Sequence, residues 1–186
     1  LSKRMLDDHL ILAGGGHSHA LMLLRWAMFP KLKPKGLITL VNRNSTTLYS
    51  GMVPGLIAGK YTIDELSIDL RLLADQAEVA LIVAEIIGVD INRKHLLSEG
   101  RPPLEFTDLS LDIGAETVNN DINHRNESKN LSIPIKPLEP VINWLAEQDR
   151  AVSISESEPF TVVGCGLAGV EIALSLRQRW PNRPIH

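Results

Sequence analysis

Two short stretches of the chain are rich in glycine, and each lies between an apolar run and a helix-forming segment. The first is within Leu10–Trp26, LILAGGGHSHALMLLRW, and the second is Thr161–Leu174, TVVGCGLAGVEIAL. At the start of a helix, unpaired backbone amides and the helix dipole attract an anion, and a turn without side chains lets that anion come close. The chemistry that these residues could perform is therefore the binding of a phosphate or diphosphate group.

The second turn carries the complete pattern G-x-G-x-x-G. Gly164, Gly166 and Gly169 follow the predicted strand Thr161–Val163 and precede the predicted helix Val170–Leu176. In a dinucleotide-binding unit the first glycine makes the turn, the second admits the diphosphate, and the third lets helix and strand pack closely. The spacing and its neighbours predict a dinucleotide site.

The first turn matches the same pattern only in part. Gly14 and Gly16 are present, but His19 occupies the third small position. We assign His17 and Ser18, at the start of the following helix, to the same diphosphate site, since their position lets them donate to the anion. Cofactor binding and a merely structural strand-turn-helix are both compatible with this pattern. A metal site at His17 and His19 is not expected, because residues two apart do not share a helical face and no Cys or carboxylate cluster accompanies them.

The end of the second predicted strand also departs from the expected pattern. Gly36–Val41 is followed by Asn42 and Arg43, where an acidic residue would bind the ribose of a dinucleotide. Asn42 could still hydrogen-bond a hydroxyl group, and Arg43 could meet a phosphate. Both therefore remain candidate cofactor-binding residues.

The elements that must position the turns alternate between apolar strands and helical segments, which predicts an α/β fold with a parallel sheet. Gly36–Val41 is expected to pair in parallel with the strand His9–Ala13. Val79–Asp90 and His95–Leu97 are predicted as an antiparallel hairpin. The other predictions are a helix over Ala20–Phe29, a long loop from Asn42 to Gly59, a helix within 62–77, a strand over Leu109–Ile113, a surface excursion over Val118–Ser132, and a helix over Leu138–Gln148.

Composition limits the classes of function. The 186 residues are 44% apolar and 22% charged, which suits a globular core, and the net charge of -3 without a Lys/Arg cluster excludes a nucleic-acid partner. No run approaches the roughly 18 apolar residues of a membrane span, and the N-terminal residues lack the order of a secretory signal. The single cysteine, Cys165, is expected to be a small buried filler and fits a reducing compartment. We therefore expect a cytoplasmic protein.

Two dinucleotide turns, separated by a hairpin and a glycine-ended strand, are more specific than either turn alone. The arrangement resembles the pyridine nucleotide-disulfide oxidoreductase superfamily, on the branch of type II NADH dehydrogenases and sulfide:quinone reductases. More narrowly, GGGHSHALMLLRWAM, YSGMVPGLIAGKYT, IDLRLLA and LSLDIGA are similar to the flavoprotein half of NADH dehydrogenases fused to selenide, water dikinase. The resemblance covers nearly the whole chain, and YSGMVPG is its most distinctive piece. It implies a Rossmann-like FAD/NAD(P)-binding fold, with FAD at the first turn and NAD(P)H at the second.

The resemblance implies a role for the segment Tyr49–Gly55 beside the isoalloxazine ring. There Met52, Val53 and Pro54 would offer an apolar surface, and flanking glycines would permit close backbone approach. A turn-rich loop without a ligand is the alternative.

Three further residues are cofactor-binding candidates through the resemblance. Ile86 matches a backbone contact to adenine, and Gly114 matches the point where a strand passes near FAD. Glu171 matches an acidic residue near nicotinamide, although a charge on a solvated helix face would explain it equally. No side chain is expected to act as a general acid or base, and no cysteine pair lies in the flavin region. The resemblance then implies a diffusible, quinone-like electron acceptor.

In domain terms the resemblance implies that 1–150 is the first segment of an FAD domain, 151–158 a linker, and 159–186 a truncated start of the NAD(P)H domain. The chain would then be an N-terminal fragment of an NAD(P)H dehydrogenase. A C-terminal selenide, water dikinase domain and a homodimer are the macromolecular partners that the resemblance allows. Two other functions stay open: a non-catalytic FAD or nucleotide-binding regulatory module of such a fusion protein, and a one-cofactor NAD dehydrogenase without flavin.

Overall fold

The structure is a computed structural model that describes residues 8–115, 132–150 and 158–186. All of the predicted surface excursion except Ser132, and all of the predicted linker except Glu158, lie outside these residues. The described strands are β1 (His9–Ala13), β2 (Leu37–Asn42), β3 (Thr46–Leu48), β4 (Ser67–Asp69), β5 (Ala80–Val83), β6 (Ile86–Asp90), β7 (His95–Ser98), β8 (Leu104–Glu105) and β9 (Asp108–Leu111). The α-helices are α1 (His17–Met28), α2 (Val53–Ile57), α3 (Ile63–Leu66), α4 (Leu70–Gln76), α5 (Glu139–Arg150) and α6 (Leu167–Arg179), with short 3-10 turns at Pro30–Leu32 and Ser50–Met52.

The chain divides into two compact units. The first comprises Leu1–Ser50 and Ile63–Gly114, and the second comprises Gly51–Thr62 and Ala115–His186.

The first unit is built on a four-stranded parallel sheet with the order β5-β2-β1-β9. In the centre of the sheet, Ile11 of β1 lies opposite Thr39 of β2 and Leu109 of β9. A central parallel strand is covered on both faces, which explains why β1 is a continuous apolar run rather than an alternating one. The α/β class and the parallel pairing of β1 with β2 are confirmed.

Successive residues of β1 face opposite sides of the sheet and join two separate cores. Leu12 packs with Leu23 of α1 and Leu70 of α4 on the helical side. Ile11 packs with Leu96 on the other side, where β6, β7 and β8 form an antiparallel layer. The sheet is therefore a rigid platform on which the turn after β1 is held.

Three sequence predictions differ in detail from the structure. The predicted strand Val79–Asp90 is two strands: β5 joins the parallel sheet, and the chain then turns so that β6 pairs antiparallel with β7. The predicted helix within 62–77 is interrupted because β4 pairs with β3, after which the Asp69 side chain caps α4 by accepting a hydrogen bond from Leu72 N. The predicted loop from Asn42 to Gly59 contains β3, a 3-10 turn and α2.

The second unit contains α2, α5 and α6. Three aromatic rings, Trp144, Phe160 and Trp180, pack edge to face with centroids 5.0 to 6.1 Å apart. The helices predicted over Leu138–Gln148 and Val170–Leu176 are confirmed by α5 and α6. The strand predicted over Thr161–Val163 is not formed. In the described residues, only a parallel bridge between Phe160 and Ile185 is present at this place.

Candidate dinucleotide-binding site

The first glycine turn lies at the carboxyl edge of the parallel sheet, where it joins β1 to α1. The neighbours of β1 are β2 on one side and β9 on the other, so the chain order reverses between β1 and β9. In open α/β sheets, ligands bind in the crevice that opens at such a reversal, beyond the carboxyl ends of the strands. The turn therefore occupies the ligand-binding position of this fold.

The backbone of this turn requires glycine because β9 approaches it closely. Gly14 has φ +91°, and a Cβ there would collide with the backbone carbonyl of Asp112, which follows β9. The Gly14 N–H donates to Val41 O at 2.8 Å, and the Gly16 N–H donates to Asp112 O at 3.1 Å. Gly14 and Gly16 thus tie the ends of three strands together, and neither of their amides points at open space.

The side chain of Asp112 covers the N-terminus of α1. Its Oδ2 accepts hydrogen bonds from Ser18 N at 2.8 Å and His19 N at 3.2 Å, and a Cβ on Gly16 would collide with the carboxylate. The helix has no acidic residue in its first turn and no side-chain cap at Gly16. Asp112 therefore supplies from β9 the negative charge that the helix dipole favours. The contact between Asp112 and Ser18 is not predictable from local patterns, because 94 positions separate the two residues; an acid directly after β9 is the only signal in the sequence.

Asn42 braces the turn with both ends of its amide. Its Oδ1 accepts from Gly15 N at 2.8 Å, and its Nδ2 donates to Asn44 O at 2.8 Å. The neighbouring Arg43 is exposed. The structure thus gives Asn42 a positioning role at the glycine turn, while a contact of Asn42 or Arg43 with a dinucleotide stays a prediction.

His19, at the third small position of the pattern, is a buried structural residue. Its Nδ1 lies 2.6 Å from Gly14 O and its Nε2 lies 2.8 Å from Ser110 Oγ. A carbonyl oxygen can only accept, so Nδ1 donates to Gly14 O; in the neutral ring Nε2 then accepts from the Ser110 hydroxyl. His17 is exposed and stacks on Tyr49 with a centroid distance of 4.8 Å. The two histidines therefore have different surroundings.

A diphosphate fits this turn in one respect and not in another. The glycine backbone, the sheet position and the helix dipole fit an anion, and Ser18 is exposed. The amides of Ser18 and His19, however, already donate to the Asp112 carboxylate. An anionic ligand can use these donors only after that side chain has moved.

The second glycine turn, at the start of α6, has a different environment. Gly164 has φ +123°, and a Cβ on Gly169 would collide with the carbonyl oxygen of Gly164, as expected for the third glycine of the pattern. In the described part of the chain, the amides of Gly166, Leu167 and Ala168 have no protein acceptor. The turn thus combines the complete glycine pattern with open donors.

Cys165 is exposed in this turn, so the expectation of a buried filler is wrong. It lies between the first two glycines of the pattern. Glu171 is also exposed, four residues after the start of α6. A contact between Glu171 and nicotinamide stays a prediction.

The remaining predicted site residues fall in both units. In the first unit, Ile86 opens β6 and is packed against the core on the hairpin side, and Gly114 is exposed with φ +77°, two residues after Asp112. In the second unit, Met52 ends a 3-10 turn, and Val53 and Pro54 begin α2. Their assignment to the flavin stays a prediction.

Arg179 holds α2 against α6 within the second unit. Its Nη1 donates to Leu56 O at 3.1 Å and Ile57 O at 3.3 Å, and its Nε donates to Asp149 Oδ1 at 3.0 Å. These carbonyls lie at the C-terminal end of α2, where a cation is favourable. Within this unit α2 is therefore held against α6, the helix that follows the second glycine turn, a relationship with no signal in the sequence.

Two kinds of feature are absent from the described residues. Across 8–115, 132–150 and 158–186, no three His, Cys, Asp or Glu side chains converge as a metal site would require. Over the same ranges, no helix has the length and apolar content to cross a membrane.

Comparison with known proteins supports the relationship that the motifs predict. No protein-family model matches the chain. The NADH dehydrogenase-like protein YutJ of Bacillus subtilis (strain 168) is 25% identical over 175 residues, which is 91% of this chain and 45% of that protein.

Solved structures show the same fold. The sulfide:quinone oxidoreductase of Aquifex aeolicus superposes with a TM-score of 0.69 at 16% identity, over 96% of this chain and 42% of its own. The NADH:rubredoxin oxidoreductase of Clostridium acetobutylicum gives 0.59 at 18% identity, over 96% of this chain and 43% of its own. The chain thus has the Rossmann-like fold of these oxidoreductases, and it spans less than half the length of each of these relatives.

Proposed function

We propose that the chain is part of an NAD(P)H-dependent flavoprotein oxidoreductase, which binds FAD at the first glycine turn and NAD(P)H at the second. The observation that carries the proposal is the placement of two glycine turns at the N-termini of α1 and α6, the first at the reversal of strand order. The likeness to an NADH dehydrogenase-like protein supports the same function.

The chain's own residues would bind and orient the two cofactors. When bound, FAD would take a hydride from NAD(P)H and pass electrons to an acceptor. Asn42 and His19 fix the backbone of the first turn through Gly15 and Gly14, and the open amides at the start of α6 would hold the second diphosphate. A quinone-like acceptor, a C-terminal selenide, water dikinase domain and a homodimer belong to this proposal as expectations from the sequence.

A second candidate is a nucleotide-binding regulatory module without turnover. The observation in its favour is the Asp112 carboxylate on the amides of Ser18 and His19, since this self-capped helix has no need of a bound diphosphate. Such a module would bind a nucleotide at the second turn alone or would bind FAD without oxidising NADH.

Absorption spectroscopy and NADH oxidation separate these functions. The purified full-length chain, with added FAD, is expected to show flavin absorption bands and to oxidise NADH or NADPH in the presence of a soluble quinone or a redox dye. Flavin bands without NAD(P)H oxidation would favour the regulatory module. A protein that binds NADH but remains colourless after FAD addition would contradict the flavoprotein proposal.

A further inference from the structure

One acidic side chain in the first unit lies where an anionic ligand would bind. The Asp112 carboxylate contacts the N-terminal turn of α1 through Ser18 N at 2.8 Å and His19 N at 3.2 Å, and it rests on the bare Cα of Gly16. These are the donors and the glycine surface that the fold offers to a dinucleotide diphosphate. The protein therefore carries its own anion in that position.

A carboxylate and a diphosphate cannot share these donors. Each backbone N–H makes one good hydrogen bond, and two like charges a few ångströms apart repel strongly where solvent screening is reduced. Binding of a diphosphate would thus require the carboxylate to leave Ser18 and His19. The loss of those two charge-assisted hydrogen bonds opposes binding of the ligand.

Only the side chain of Asp112 has to move. Its backbone is fixed on both sides, because its N–H donates to Ala13 O at 2.8 Å and its carbonyl accepts from Gly16 N at 3.1 Å. The side chain itself is only partly buried. A rotation about its own bonds would release the amides while β1, β9 and the turn stay in place.

The second glycine turn provides an internal comparison. The amides at the start of α6 have no acceptor within the described residues. Among the described residues, the amides of the complete glycine pattern therefore lack an acceptor, whereas two amides at the incomplete pattern donate to the Asp112 carboxylate. The capping of α1 would by itself explain a hydrogen-bond acceptor at position 112. It would not explain the negative charge, because a neutral Ser or Asn caps a helix about as well as Asp does.

We propose that Asp112 determines the affinity of the first turn for FAD, by competing with the diphosphate for the amides of Ser18 and His19. The proposal rests on the proposed function, since it concerns FAD at that turn. Asp112 is a residue that sets affinity, and it has no part in electron transfer.

The test compares the wild-type full-length chain with variants that remove the charge at Asp112 and with a control variant that removes an equal charge elsewhere. Asp112→Asn keeps the shape and removes the charge, and Asp112→Ser provides a second neutral cap in case the first variant folds poorly. Asp108→Asn removes an equal charge from the exposed start of the same strand and is the control. FAD dissociation constants are measured by quenching of flavin fluorescence, and thermal unfolding reports folding without ligand.

We expect the two Asp112 variants to bind FAD about tenfold more tightly than the wild type, with the gain reduced at high salt, and Asp108→Asn to bind within about twofold of it. A wild type without detectable FAD binding and an Asp112→Asn variant that binds FAD would support the proposal further. Equal or weaker binding by folded Asp112 variants, beside a wild type that binds FAD, would overturn the competition but leave the flavin site standing. If none of the proteins binds FAD, the proposed function itself fails and this inference falls with it.

Discussion

The imidazole of His19 contacts the carbonyl oxygen of Gly14 at 2.6 Å through Nδ1. In the second turn the equivalent carbonyl, that of Gly164, closely approaches the bare Cα of Gly169. The equivalent carbonyl oxygen therefore contacts a hydrogen-bonding imidazole ring in the first turn. In the second turn it lies against a glycine, which has no side chain. The contact between His19 and Gly14 O explains how the first turn can lack the third glycine of the pattern and still keep a strand-turn-helix geometry.

Replacing His19 tests its structural role. The change His19→Ala removes the partner of Gly14 O and of the Ser110 hydroxyl in a buried position and leaves a cavity, so we expect a loss of about 3 kcal/mol in the free energy of unfolding. Urea denaturation measures the loss. His17→Ala, which removes only an exposed ring stacked on Tyr49, is the control and is expected to cost less than about 1 kcal/mol. Equal costs for the two variants would contradict the role of His19.

Two glycine substitutions distinguish the cost of a steric collision with neighbouring backbone from the cost of a positive φ angle. Gly14→Ala places a Cβ against the backbone carbonyl of Asp112 at φ +91°, so we expect a loss of more than about 2 kcal/mol or failure to fold. Gly100→Ala, at φ +65° with open space around it, is expected to cost only about 1 kcal/mol. Denaturant unfolding gives both values, and a Gly14 variant as stable as the Gly100 variant would argue against the approach of β9.

The second turn is testable by nicotinamide-cofactor binding. Since no atom of the described residues lies within 4 Å of a Cβ at Gly166, Gly166→Ala should leave thermal unfolding unchanged. The added methyl group would face the diphosphate, so we expect the dissociation constant for NADH to rise about tenfold. Calorimetric titration measures binding, and Cys165→Ala, an exposed neighbour, is the control. Unchanged affinity in the Gly166 variant would count against nucleotide binding at α6.

Arg179 offers a test of how α2 is held. Arg179→Ala removes the donors to Leu56 O and Ile57 O and the contact with Asp149, and we expect it to cost the second unit about 2 kcal/mol. Arg177→Ala, which loses a single exposed hydrogen bond to Pro181 O, is the matched control on the same helix.

The readout for this change is amide hydrogen exchange in α2. The amides of Ala58, Gly59 and Lys60 are bonded to carbonyls of the same short segment, so they report its local opening. We expect their exchange to be faster in Arg179→Ala than in Arg177→Ala. Unchanged exchange would show that packing alone holds α2 in place.

Local patterns in the sequence were sufficient for the elements and for the general location of the site. The apolar run before Gly14 predicted β1, and the glycine spacing predicted α6, because strand periodicity and helix starts depend on neighbouring residues. The predictions were less accurate for strands whose pairing partner is distant in the sequence. Val79–Asp90 divides between two sheets, and Thr161–Val163 forms no strand beyond the bridge at Phe160 in the described residues.

By itself, the sequence determined that two glycine turns precede helices in an α/β fold. Tertiary structure alone decided which side chains contact the first turn. Asp112 reaches the amides of Ser18 and His19 only because β9 pairs beside β1, and His19 reaches Ser110 for the same reason. The physical reason is that a hydrogen bond depends on distance in space. Residues about ninety positions apart become neighbours only when the strands that carry them are paired.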